Sequence, residues 1–116
     1  MIKLEEVESP LIIYWLSFRF SDKDMPKSSK GPEGTRRTGL IEAIRKISEY
    51  GPWESPTSLL LFRSSKPRAE IAATIDKFVD TGRDVVIFGR SGKVKLLSDN
   101  TDKSALRKVI GAANIA

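Results

Sequence analysis

The sequence has 116 residues and a mass of 12.9 kDa, close to the commonest size of a single domain, so we expect one domain over residues 1–116. Its content of 40% hydrophobic and 30% charged residues favours a globular fold over a disordered chain or a membrane protein. Because the chain has no Cys and no His, disulfides, thiol nucleophiles, imidazole bases and the usual zinc ligands are excluded.

The net charge is positive and unevenly distributed. It amounts to +5, from 20 Lys and Arg against 15 Asp and Glu. Residues 19–47 hold eight of the bases and four of the acids, which is the densest excess in the chain. Clustered positive charge attracts phosphates, although a modest excess also serves solubility.

The beginning of the chain does not look like an export signal. The first eight residues carry three acids and one base, the opposite of the positive region that opens a signal peptide. The first apolar run, Leu11–Phe20, is interrupted by Arg19 and has about half of the ~20 residues that a membrane helix needs. We therefore expect a cytoplasmic protein with no membrane partner.

The same run predicts the first strand. It reads Leu-Ile-Ile-Tyr-Trp-Leu-Ser-Phe-Arg-Phe and is rich in β-branched and aromatic residues. Both faces of such a strand begin with apolar side chains, which indicates a central position in a sheet.

A long basic loop is predicted next, over about residues 21–37. It holds two Pro, two Gly and five Lys or Arg, and almost nothing to bury, so we expect it to be mobile. Loops beyond ~12 residues tend to be functional or disordered, which makes this loop the first place to look for a partner. The predicted contacts to a nucleic-acid backbone are Arg19, Lys23, Lys27, Lys30, Arg36 and Arg37.

Two acids in the same loop are candidate metal ligands. Asp22 and Asp24 would offer oxygen atoms to Mg²⁺, which proteins hold with one or two carboxylates and several waters. The alternative is that both are ordinary solvated loop acids. Mg²⁺ is thus the only cofactor considered, and only for a metal-dependent nuclease.

The middle of the chain predicts two helices and two strands. Thr38 can cap a helix that runs to about Tyr50, and Pro67 suits the first turn of a helix over Arg68–Asp80. Between them, Ser58–Phe62 reads as a buried strand. The short piece around Trp53, flanked by prolines, can only be an edge strand or irregular.

The last third predicts a hairpin and a helix. Asp84–Phe88 and Val94–Leu97 flank a Gly-Arg-Ser-Gly turn. Asn100 or Thr101 then caps an amphipathic helix that contains Leu106.

The element order β, α, β, β, α, β, β, α predicts an α+β fold. It fits a ferredoxin-like β-α-β-β-α-β antiparallel sheet with two helices on one face, followed by an extra C-terminal strand and helix. In that arrangement the first and third strands are the central pair. Their second face then needs a cover, either the last helix or another copy of the chain, and we expect a homodimer.

Several of these segments match a known pattern in combination. They are the first strand, the basic loop, a helix ending Ile-Ser-Glu-Tyr-Gly, an edge with Trp, the strand Leu-Leu-Leu-Phe-Arg-Ser-Ser and a helix beginning Pro-Arg-Ala-Glu-Ile. Over about residues 11–90 the pattern resembles the small ferredoxin-like proteins related to the CRISPR-associated adaptation nuclease and the virulence-associated toxin ribonucleases. The resemblance implies a homodimer and, in active members, a metal-binding aspartate near the end of the first strand. Here Arg19 stands at that place, so the resemblance implies the scaffold more than the activity.

Three functions follow as hypotheses. The first is a cytoplasmic, dimeric, non-catalytic module that binds RNA, DNA or another polyanion through the basic loop. The second is a metal-dependent nuclease that uses Asp22 and Asp24. The third is a structural dimerisation or protein-interaction module whose charge is incidental.

Overall fold

The fold combines one four-stranded sheet with three helices in an α+β arrangement. The computed structural model describes residues 11–23, 27–54, 58–95, 97 and 103–115. The strands are β1 (Ile12–Arg19), β2 (Tyr50–Glu54), β3 (Leu59–Ser64) and β4 (Val85–Arg90). The helices are α1 (Glu33–Ile47), α2 (Arg68–Asp76) and α3 (Lys103–Ile110), and a short 3-10 turn follows at Ala112–Asn114.

The strands lie in the order β2-β3-β1-β4, and each neighbouring pair is antiparallel. β1 and β3 therefore hold the centre of the sheet, as predicted, and the segment with Trp53 is an edge strand, as predicted. In the central pair Tyr14 lies opposite Phe62 and Leu16 opposite Leu60. These four fully buried side chains all point toward α1 and α2, because directly paired residues share a face of the sheet.

The main core lies between this face of the sheet and the first two helices. Leu40 and Ile44 of α1 and Ile71 and Ile75 of α2 supply its helical side. Burial of such aliphatic and aromatic side chains is the dominant stabilising contribution to a domain of this size. Both helices pack on one face, as predicted.

A second, smaller core lies on the opposite face of the sheet. Its buried members are Ile13, Leu61, Leu106, Val109 and Ile110. Because the last three belong to α3, the protein's own last helix covers the part of this face that lies over β2 and β3. The expectation that a second copy is needed as the cover therefore does not hold for this half of the face.

The first helix begins five residues earlier than predicted. Pro32 occupies its N-cap and Glu33 is its first residue, so Arg36 and Arg37 lie in the helix and not in the loop. Arg36, Leu40 and Ile44 follow one another at intervals of four and are all buried, which places the arginine on the core-facing side of α1. Sequence patterning missed this turn because it counts only apolar residues as core-facing.

The predicted hairpin at Gly89–Gly92 is wrong. β4 continues through Gly89 and ends at Arg90. A Cβ atom at position 89 would lie 3.3 Å from the Trp15 ring, so this glycine serves close packing across the sheet instead of a turn. Within residues 91–95 and 97 there is no fifth strand, and Val94 makes only an isolated parallel bridge to Ile115.

The predicted C-terminal helix is present as α3. Its two candidate caps, Asn100 and Thr101, lie outside the described residues. Among the described helices, none combines the length and the apolar character needed to cross a membrane.

Candidate functional site

A buried ion pair forms the floor of the basic region. The Arg36 Nε atom donates to Oδ2 of Asp84 at 3.0 Å, and Nη2 donates to Oδ1 at 2.9 Å. The two side chains are 1% and 0% exposed, respectively. Such a two-pronged contact satisfies the planar guanidinium and the carboxylate together. It joins the first turn of α1 to the start of β4.

The same pair holds both ends of the loop between β1 and α1. Arg36 donates from Nη2 to the Ser21 carbonyl at 2.9 Å and from Nη1 to the Gly31 carbonyl at 2.6 Å. The Ser21 amide in turn donates to Oδ1 of Asp84 at 2.9 Å. The guanidinium is thus engaged on every nitrogen, and its phosphate-binding role predicted from the sequence gives way to a role in holding the loop.

The connection between α2 and β4 holds the loop at further points. Arg83 Nη1 donates to the Lys23 carbonyl at 3.0 Å, and Lys30 Nζ donates to the Asp76 carbonyl at 2.7 Å. The Ser28 hydroxyl hydrogen-bonds to the Asp80 carboxylate. The described parts of the loop are therefore fastened along their length, in contrast to the mobile loop expected from the sequence.

Both members of the buried pair are charged at neutral pH. Burial, the largest single influence on Asp84, acts to raise the pKa of its carboxyl. The hydrogen bonds from Arg36 and from the amides of Ser21 and Asp80 together outweigh burial and leave that pKa lowered. The hydrogen bond to Asp84 raises the pKa of Arg36 against the effect of burial.

The lowered pKa of Asp84 predicts an acid-sensitive contribution to stability. The folded carboxyl releases its proton more readily than the unfolded one, whose pKa is about 3.9. The contribution is therefore fully present above this unfolded value and is lost as the pH falls through the lower, folded pKa. We expect the difference in unfolding free energy between the unchanged protein and Asp84→Asn to shrink from about pH 6 to pH 2 in urea denaturation. A difference that stays constant over this range would contradict the prediction.

Two clefts adjoin the fastened loop. The first, of about 440 Å³, is lined by Lys23, Lys27, Ser28, Gly31, Pro32, Arg36 and Arg83. The second, of about 470 Å³, is lined by Arg19, Phe20, Ser21, Asp22, Lys23, Glu33, Arg83 and Val85. Lys23 and Arg83 belong to both linings and so connect the clefts. The lining of the first includes four cations and no carboxylate, whereas that of the second includes three cations and two carboxylates.

The structure brings three of the six predicted cations together at these clefts. Arg19 lines the second cleft, Lys27 lines the first, and Lys23 lines both; all three are exposed. Lys30 lies on the same loop with its ammonium bonded to the Asp76 carbonyl.

Arg37 lies apart from this group. Its guanidinium stands 5.2 Å from the centre of the Phe18 ring and 3.5 Å from a Glu54 carboxylate oxygen. Arg37 lines neither cleft.

The predicted metal ligands are only partly placed. Asp22 is exposed and lines the second cleft beside Arg19 and Lys23. Asp24 lies outside the described residues. Among the described side chains, no three acids are grouped closely enough to hold a metal ion.

Sequence reasoning missed Arg83. It lies in the turn before β4, where its side chain pairs with Asp80 at 3.1 Å and lines both clefts. A cation between Gly82 and a lone acid ahead of an apolar strand was the available signal, but only the fold shows that this turn faces a loop 60 residues earlier in the chain.

Comparison of the chain with protein-family models, with curated proteins and with solved structures found no match. The case for a function therefore depends on the geometry of the clefts.

Proposed function

We propose that this chain is a small non-catalytic module that binds the phosphate backbone of RNA or DNA, or another polyanion, at the two clefts. The observation that carries the proposal is the junction of the clefts at Lys23 and Arg83, with Arg19 on one side and Lys27 on the other. Such a surface offers several cations to successive phosphates, and binding releases the counterions that the polyanion had condensed.

The fastened loop supports this proposal. A lysine on a mobile loop loses conformational entropy when it binds, and that loss opposes affinity. Here the Lys23 carbonyl is held by Arg83 and the neighbouring Ser21 by Arg36 and Asp84. The backbone on which Lys23 stands is therefore ordered before any ligand arrives.

We propose that the scaffold is ferredoxin-like, which the order β2-β3-β1-β4 and the two helices on one face support. The relation to the CRISPR-associated adaptation nuclease and the toxin ribonucleases stays a prediction. So do the cytoplasmic location and the nuclease alternative, for which Asp22 is the one predicted ligand among the described residues.

We also propose that the chain forms a homodimer. Its support is the half of the second sheet face that α3 leaves uncovered, where Val85 and Ile87 are each 56% exposed. Large β-branched side chains at two alternate positions of one strand form an apolar strip, and such strips are typical of interfaces.

The binding proposal is tested with a triple variant, Arg19→Gln, Lys23→Gln and Lys27→Gln. Titration of labelled single-stranded RNA and duplex DNA at about 50 and 200 mM salt should show salt-dependent binding of the unchanged protein. The variant should bind about 10–1,000-fold more weakly at the lower salt. Its slope of log affinity against log salt on the duplex should fall by up to about 2.7, since each phosphate contact contributes about 0.9.

The matched control removes the same charge elsewhere. Lys46 at the far end of α1, and Arg107 and Lys108 on α3, are exposed and line neither cleft. Their triple change to Gln should affect binding far less. No salt-dependent binding by the unchanged protein, or an equal loss in the control, would refute the proposal.

A further inference from the structure

The two edges of the sheet are built differently. β2, at one edge, contains Pro52, and its register with β3 shifts between Tyr50 and Trp53. Proline and irregular register both discourage another strand from pairing there. β4, at the other edge, reads Val-Val-Ile-Phe-Gly-Arg and has no proline and no charge before Arg90. An apolar edge without such protection is a template for a further strand.

The exposed side chains of β4 all lie on one face. Ile87 is paired with Ser17 and Val85 with Arg19, so these residues share the second face of the sheet, on which α3 lies. The main contacts of α3 are with β2 and β3, at the other side of the sheet. The β4 side of this face, with the apolar strip of Val85 and Ile87, is left open by the described residues.

We infer that a second copy of this chain pairs with β4 along its open edge. This inference rests on the homodimer in the proposed function and assigns its interface. A strand that pairs with its own copy about a two-fold axis perpendicular to the sheet is antiparallel, and each face continues from one copy into the other. Odd-numbered residues of β4 therefore lie opposite odd-numbered residues of the second copy.

This parity restricts the register. Pairing about Val86 places Val85 of each copy opposite Ile87 of the other, so both exposed side chains of both copies are covered at once. Pairing about Ile87 places Val85 opposite Gly89, which covers it less. The strip is thus self-complementary in the register centred on Val86.

The interface also changes the candidate binding surface. Val85 is both a member of the strip and part of the lining of the second cleft. Pairing about Val86 therefore brings the second clefts of the two copies side by side across the axis, each with its own Arg19 and Lys23. A single polyanion that spans both clefts is held at two places, which raises affinity without any new kind of contact.

Ile87→Lys tests the interface. Ile87 is exposed in the single chain, so the variant should fold with little change in unfolding free energy. Light scattering and sedimentation over a range of concentrations should show a dimer for the unchanged protein and a monomer for the variant. Because the substitution adds a positive charge, local electrostatics alone would tighten polyanion binding, whereas loss of the second cleft should weaken it about 10-fold or more. Leu97→Lys, at another exposed apolar residue, should remain dimeric.

The absence of Cys from the chain allows a clean test of the register. In Val86→Cys the two thiols face each other at the axis, at the separation of directly opposed residues, which a disulfide can bridge. Oxidation should give a covalent dimer from Val86→Cys and none from Leu97→Cys.

The outcomes separate the two proposals. A monomeric unchanged protein would overturn both the homodimer and this interface, and the same holds if Ile87→Lys then alters only oligonucleotide binding. A dimer that survives Ile87→Lys and does not cross-link at position 86 would leave the homodimer standing and overturn the β4 interface.

Discussion

Replacing Arg36 with Met is expected to lower the unfolding free energy by about 3–5 kcal/mol. The substitution leaves the Asp84 carboxylate charged and buried without its guanidinium partner, and it also removes the hydrogen bonds to the carbonyls of Ser21 and Gly31. A buried charge without a partner pays its full desolvation penalty. Urea or guanidinium denaturation followed by circular dichroism measures the loss.

The neighbouring arginine provides the matched control. Arg37 pairs with Glu54 at 3.5 Å near the surface, and Arg37→Met should cost only about 0–1 kcal/mol, as exposed ion pairs do. A double variant, Arg36→Met with Asp84→Leu, should recover a substantial part of the single-variant loss, because it removes both buried charges. Equal losses for Arg36→Met and Arg37→Met would show that the pair is not buried as described.

This pair also marks the limit of sequence reasoning about the site. The sequence correctly indicated which short region gathers positive charge, because Arg19, Lys23 and Lys27 lie there in any fold. It could not distinguish these cations from Arg36, since a buried arginine is recognised by its partner, and Asp84 is 48 residues away in the chain. Its signals were local and weak: Pro32 at a helix start and an arginine four residues before Leu40.

The sheet was more predictable than its surroundings. Alternation along β1 and β3 depends on a period of two residues, which is readable in ten residues, and both strands take the central positions expected of them. Gly89 misled the prediction because glycine serves turns and close packing alike, and only the position of the Trp15 ring decides between them. Which part of the second face α3 covers depends on how the chain returns to the sheet, and no local pattern encodes that path.

The remaining question about this face is whether α3 is a real cover or a loosely placed helix. Leu106 is 1% exposed and lies in the second core with Leu61 of β3. Removing its side chain should therefore lose transfer free energy and leave a cavity, and Leu106→Ala should cost about 2–5 kcal/mol of unfolding free energy. Both tryptophans of the chain, Trp15 and Trp53, pack against this core, so tryptophan fluorescence during denaturation reports directly on it.

The same chemical change at an exposed position supplies the comparison. Leu97 is 87% exposed, and Leu97→Ala should change the unfolding free energy by no more than about 0.5 kcal/mol. A loss below about 1 kcal/mol for Leu106→Ala would mean that α3 does not seal the β2 and β3 side of the face. The whole second face, and not only the strip at Val85 and Ile87, would then be open to a second copy. A large loss confines the second copy to β4, which is where the interface between copies is proposed.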